Sequence, residues 1–314
     1  MTLSTKSDEH DGLLLPGLDG TNPLGFLAAL GLFHVVDAAS VTGQTRLQWN
    51  PGGGTWIPAL IGSNLSQESL LDMVTSSLSS DIQLHPVHLL NLLSTDDPSE
   101  RTSLFEKQIH EACMTDRIDV DWLSALASDI IPSSAINQLQ TTRRDYHYGN
   151  LTSIISRTTP DHLRRAIFSP WDYADPLDNQ SLHIEPSEDR RHAHQWNKPA
   201  GDPDRKTSGG MLGANRLAIE AFVLFTSLPH GDALHTIGFT GQRSTNTRWT
   251  WPIWNVPLPI SVVRSLPTLK GLQDEVINVE VCARMSLRGI VAVYRTSRIL
   301  VGKTPNFTPA QRIA

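Results

Sequence analysis

Between Ser181 and His194 the chain carries three imidazoles, His183, His192 and His194, and three carboxylates, Glu185, Glu188 and Asp189. Such a set suits a divalent cation, and the chemistry would be metal-dependent phosphodiester hydrolysis by a nuclease or phosphodiesterase. In an extended segment His192 and His194 share a face, and a turn can return Glu185 or Asp189 to complete a set of two imidazoles and one carboxylate. Nothing in the spacing fixes that geometry. The chain has no HExxH and no CxxC, and Asp161-His162 runs in the opposite order to the doublet of HD-type metal hydrolases. A solvated loop of ion pairs and turns accounts for the same residues, so no metal is expected. Phosphate loops are equally incomplete. Gly52-Gly53-Gly54 lacks the Gly-Lys-Ser/Thr that wraps a triphosphate, and Gly209-Gly210-Met211-Leu212-Gly213 follows no strong strand, so neither ATP nor NAD is expected. There is no GxSxG, and neither Cys113 nor Cys282 has a catalytic neighbourhood. No cofactor and no catalytic residue is assigned.

Cations tell more. Residues 1–142 hold 17 Asp and Glu against 5 Lys and Arg, a net of −12, whereas residues 143–314 hold 15 against 21, a net of +6. A polyanion partner therefore belongs with the second stretch. Aromatic and basic residues interleave at Arg143-Arg144-Asp145-Tyr146-His147-Tyr148 and from Arg243 to Trp254, the pairing of stacking rings with phosphate-binding cations that single-stranded nucleic acid uses. The competing reading makes Trp249, Trp251 and Trp254 core rings of a Pro-bounded strand. Arg205-Lys206-Thr207-Ser208-Gly209-Gly210 is basic and precedes a helix start, where backbone amides favour an anion. The candidate nucleic-acid contacts are Arg143, Arg144, Arg190, Arg191, Arg205 and Lys206. Arg288, Arg295 and Arg298, with Lys303 beyond them, add a basic rim along the last strand in sequence.

The elements that must position these residues read as an α+β fold, an antiparallel sheet with packed helices and a helical acidic insertion in the N-terminal half. Asn22 caps and Pro23 opens a helix whose Leu24, Leu27, Ala28, Leu32 and Val35 recur at helical spacing, and it is apolar nearly all round. Arg46 to Trp49 alternates as a strand that Gly52-Gly53-Gly54 turns back into a hairpin. Ser66 caps a helix striped by Leu70, Leu71, Val74 and Leu78, with further helical segments near 85–93, 99–113 and 120–130. Thr159-Pro160-Asp161 opens a helix carrying Leu163, Ala166 and Ile167, and Asn215 is expected to cap another. Ile277, Val279, Val281 and Ala283 alternate with polar residues as a strand does, and Gly289 to Tyr294 reads as a more buried one. Residues 94–103 and 197–210 read as loops. Residues 1–142 and 143–314 form two units or one intertwined domain. At 314 residues the chain buries a core without disulfides, and each cysteine reads as a small buried hydrophobe. The apolar run Leu24 to Val36 is too short to span a bilayer, and the polar, acidic start is no export signal, so a cytoplasmic location is expected.

Five blocks carry a resemblance to a family. Gly17-Leu18-Asp19-Gly20-Thr21-Asn22-Pro23-Leu24-Gly25-Phe26-Leu27-Ala28-Ala29-Leu30-Gly31-Leu32 resembles the N-terminal signature of proteins encoded in subtype I-G (formerly I-U) CRISPR loci, the helicase-nuclease-extension family. Trp171 to Asp178, Pro186 to Arg191, Gly213 to Ala218 and Asn306 to Ala310 resemble further blocks of that family, so the likeness spans most of residues 13–310. The N-terminal phrase is similar also to the openings of other CRISPR effector and adaptor subunits. The resemblance implies a part in RNA-guided antiviral defence, accompanying the surveillance complex or the nuclease-helicase, and the leading reading is a non-catalytic adaptor whose basic stretch touches guide RNA or target DNA. The resemblance implies no known active site, and no catalytic residue is carried over from it. The alternative is the metal-dependent nuclease on the 183–194 cluster.

Overall fold

The computed structural model describes residues 12–40, 43–79, 95, 97–115, 117–126, 137–141, 144–176, 181–186, 209–230, 233–241, 246–301 and 304–314. Its fold is α+β, with helices packed on antiparallel sheets. Helix α1 (Pro23–Ala39) begins where Asn22 Oδ1 accepts the N–H groups of Leu24 and Gly25, and it is buried from Pro23 to Phe33 and again at Val35 and Val36. A helix with so little polar surface must lie inside the molecule. Before it, β1 (Gly12–Leu14) pairs with β3 (Thr55–Ile61), which pairs in turn with β2 (Arg46–Gly52). The β2–β3 hairpin closes Gly52 onto Thr55 through Gly53 and Gly54, whose φ values of 63° and 99° demand glycine.

Helix α2 (Gln67–Ser77) starts where Ser66 Oγ accepts the N–H of Ser69. Helices α3 (Pro98–Thr115) and α4 (Arg117–Leu126) share a small core of Ala112 and Leu123 with Leu104, Phe105, Ile109 and Val120. The loop expected over 94–103 gives way at Pro98, because Asp97 Oδ1 accepts the N–H groups of Ser99 and Glu100 and so opens α3. The segment near 85–93 lies outside the described residues. Helix α5 (Arg144–Arg157) is followed by α6 (Pro160–Phe168), capped reciprocally by Thr159 and His162.

Every residue of α7 (Leu212–Glu220) is buried, and Gly31 of α1 lies against the Leu217 carbonyl, so the two backbones touch where any side chain would hold them apart. Asn215 does not cap this helix; it sits inside it. Asp175 takes the cap's place, its Oδ2 accepting the Leu212 N–H at 2.7 Å, which frees Asn215 to accept the Leu182 N–H and donate to Met211 O.

Strands β4 (Ser227–His230) and β5 (Ala233–Thr236) form a ribbon. The larger sheet has β6 (Phe239–Thr240), β7 (Arg248–Trp254) and β8 (Ile290–Val301) as neighbours, with β9 (Thr304–Phe307) and β10 (Gln311–Arg312) both pairing β8. Helices α8 (Ile260–Ser265) and α9 (Val279–Ser286) lie between β7 and β8 in sequence. The strand expected over Ile277 to Arg284 is therefore wrong. Asn278 Oδ1 accepts the Val281 N–H and starts a helix whose Val281 and Met285, four apart, are its buried face. The cysteines differ from expectation too: Cys113 is exposed on α3, and Cys282 is half-buried. A main core cluster running from Leu15 to Phe307 draws on both the acidic and the basic stretches of the chain. Among the described residues no helix is long and apolar enough to cross a membrane.

Candidate functional site

The β7–β8 pair sorts its side chains by parity. Register sets Trp249 opposite Thr296, Thr250 opposite Arg295, Trp251 opposite Tyr294 and Arg248 opposite Ser297. One face, with Trp249, Trp251, Ile253, Ala292, Tyr294, Thr296 and Arg298, is turned into the core, and each of these residues is buried. Trp251 Nε1 donates to Gly20 O at 2.9 Å and Trp254 Nε1 to Leu47 O at 2.8 Å, so these rings belong to the fold. None of the three tryptophans offers a face to a base.

The opposite face carries Arg248, Thr250, Arg295 and Ser297. Arg295 Nε donates to Thr250 Oγ1, Nη1 to Glu275 O and Nη2 to Asp274 O, an arrangement that clamps the 272–275 turn onto the sheet. Burial lowers its pKa, and the neighbouring Arg248 guanidinium lowers it further, but an arginine so shifted remains cationic at neutral pH. Both terminal nitrogens of Arg248 lie 3.3 Å from Glu275 Oε1. That pair is open to solvent, with side chains 42% and 79% exposed, and such surface pairs contribute about 0–1 kcal/mol. Arg248 can exchange Glu275 for another anion at little cost, while Arg295 stays as a fixed positive wall. Beside them Arg295, Ser297, Thr308 and Gln311 help line an open cleft of about 340 Å³. Two guanidiniums beside a cleft lined by the Ser297 and Thr308 hydroxyls suit a phosphate oxygen.

The basic rim read along β8 is divided by the same parity. Arg298 is buried, donates to Gln138 O, and lies 5.2 Å from the Phe307 ring; burial pulls its pKa down to about 10. Arg288 is exposed in the turn before β8, and Lys303 lies outside the described residues. Of the six candidate contacts, Arg144 is the first residue of α5, whereas Arg143, Arg190, Arg191, Arg205 and Lys206 lie outside the described residues. His192, His194, Glu188 and Asp189 do as well. His183, at φ 59°, has Nε2 3.4 Å from Asn150 Nδ2, and Glu185 is buried. Among the described residues no three His, Cys, Asp or Glu side chains converge as metal ligands.

Within the block Trp171 to Asp178, of which Trp171 to Pro176 are described, Asp172 and Asp175 form a clamp. Arg165 of α6 donates to Asp172 and Asp175, which raises its own pKa and lowers that of Asp172, while Asp175 also ties down the start of α7. The His162 ring accepts the Thr159 N–H on Nδ1, so the Asp161-His162 doublet is occupied in helix capping. Sequence reasoning noted Arg295 but missed Arg248 as its neighbour. The signal was present in the alternation Arg248-Trp249-Thr250-Trp251, once Thr250 is known to stand opposite Arg295. No protein-family model, curated protein or solved structure matches the chain.

Proposed function

We propose that this chain is a non-catalytic component of a type I CRISPR antiviral defence system, an adaptor to the surveillance complex or the nuclease-helicase that touches guide RNA or target DNA. The family reading rests on the five sequence blocks. The nucleic-acid reading is carried by one observation, the paired Arg248 and Arg295 beside a hydroxyl-lined cleft on the outward face of the sheet. With the tryptophans in the core, the contact runs through phosphates and reads little sequence. Arg143, Arg144, Arg190, Arg191, Arg205 and Lys206 extend the same basic stretch in this reading, and the acidic stretch, residues 1–142, faces a basic protein partner. Its location in this role is the cytoplasm.

Binding of a labelled 30-mer RNA and DNA is to be measured across a salt series, for wild type and Arg248→Ala. Affinity should fall steeply with salt, and the variant's log–log slope should be smaller by about 0.7 on single strands or 0.9 on duplex. An unchanged slope removes Arg248 from the interface. Absence of binding at every salt concentration leaves an adaptor that faces protein alone, a role that copurification with guide RNA or the nuclease-helicase then tests.

A further inference from the structure

The β4–β5 ribbon is docked by one of its faces. Register sets Ser227 opposite Thr236, Leu228 opposite His235 and His230 opposite Ala233, so alternate residues share a side. On one side Ser227, Leu234 and Thr236 are buried. Thr236 locks the ribbon in place, its Oγ1 accepting the Gln138 N–H at 2.9 Å and its own N–H donating to Gln138 Oε1 at 2.8 Å. The other side carries Leu228, His230 and His235. Leu228 is 56% exposed, His230 is exposed and His235 is half-buried, so water reaches all three.

His230 and His235 are diagonal neighbours across the two strands, and their ring centroids lie 6.4 Å apart with the planes inclined at 63°. Among the described residues neither ring makes a hydrogen bond or an ion pair, which leaves a nitrogen lone pair on each neutral imidazole for a ligand. An exposed imidazole gains little from touching a second one, because water already satisfies its nitrogens. A divalent transition metal gains from both, since the neutral imidazole nitrogen is its commonest protein ligand. Such an ion holds each ligating nitrogen at about 2.1 Å, and two rings on one tetrahedral ion then have centroids about 5 Å apart. The observed pair is wider than that by about 1 Å, a gap that rotation of the exposed His230 about its side-chain torsions closes while Thr236 keeps the ribbon still. Magnesium and calcium prefer oxygen ligands and are not held by two imidazoles.

We propose that His230 and His235 form a surface site for a divalent transition-metal cation of the zinc class, bound through one nitrogen of each ring, with its remaining positions left to water. No third His, Cys, Asp or Glu among the described residues joins them, so the site is open and weak, unlike the closed four-ligand sites that hold a fold together. It lies outside the 183–194 stretch and uses neither Arg248 nor Arg295, so it stands or falls apart from the nucleic-acid reading.

Calorimetric titration of Zn²⁺ into the full chain tests it. His230→Ala and His235→Ala should each remove the same one site or weaken it about tenfold or more, and the double variant should lose no more than either alone, the mark of one ion shared by two rings. The paired replacement of His192→Ala and His194→Ala should leave that site in place, which separates it from any zinc taken up in the 183–194 stretch. Leu228→His puts a third imidazole on the same face, opposite His235, and should tighten Zn²⁺ binding about tenfold or more. Circular dichroism without metal checks that each variant is folded. His230→Ala and Leu228→His change exposed side chains alone, so the site can be tested even where His235→Ala does not fold. A titration indifferent to both His230→Ala and His235→Ala overturns the proposal. So does a site lost on one of these replacements and kept on the other, or a Leu228→His variant that binds no more tightly.

Discussion

The two faces of the β7–β8 ribbon are built from alternate residues of the same strands, yet at the end that carries Arg248, Arg295 and Ser297 they have opposite physics. Inward, Trp249 and Trp251 pack as tilted rings 4.6 Å apart between centroids amid Phe26, Phe239 and Tyr294, and even the arginine on that side, Arg298, gives up water to bind a backbone carbonyl. Outward, Arg248 keeps its water and a replaceable carboxylate. Residue type alone does not assign a role: the rings that read as stacking platforms are ballast of the core, and two arginines on one strand pair, Arg298 and Arg248, divide into a structural cation and an available one.

The strongest challenge to this contrast is Trp251→Ala. Losing a fully buried ring and stranding the Gly20 carbonyl should cost about 3–5 kcal/mol, read as a large drop in the urea midpoint. A loss below about 1 kcal/mol would mean the ring is not core.

The interior's intolerance of charge can be sharpened at His147, buried on α5 with its ring parallel to Phe222, where burial lowers its pKa to about 4. The unfolded chain titrates near 6.5, so between pH 6.5 and 4 the unfolded state takes up a proton that the folded state refuses. Stability is thus full above about pH 6.5 and falls as pH drops toward about 4, by about 3 kcal/mol from this group. Urea titrations of wild type and His147→Phe at both ends of that window should show the variant losing less, and equal losses would place the His147 proton elsewhere.

Smallest is the effect on the outer face. Arg248→Ala should change stability by less than about 0.5 kcal/mol, because the pair it breaks is solvent-exposed. A loss of about 2 kcal/mol or more, far above the surface-pair range of about 0–1 kcal/mol, would make Arg248 a structural cation like Arg298 and remove the contrast.

Several local signals were legible where a backbone donor finds its partner within a few residues, though the equally local caps of Asp97 and Asn278 were not. Asn22 and Pro23 announce α1, Gly53 and Gly54 announce the hairpin, and Ser66 and Thr159 announce α2 and α6, because caps and left-handed turns are satisfied inside one turn of chain. The family-like N-terminal phrase is explained by the same local chemistry: Asp19 accepts from Thr21, and Gly25 makes room for the Asp19 carbonyl. Ile277 to Arg284 was not legible, since its alternation fits a strand while its spacing of Val281 and Met285 fits a helix, and Gly271 packed against Val281 belongs to a distant turn. Asn215 misled for a related reason, its capping role having been taken by Asp175, a residue 37 positions away from the Leu212 N–H it accepts. What the sequence determined by itself was several of the local elements, α1, the β2–β3 hairpin, α2 and α6 among them, with the charge division and the α+β class. Which face each arginine and tryptophan occupies was decided by the register of β7 on β8 and by burial against α1, because a strand offers its residues to two sides equally until a core forms on one of them.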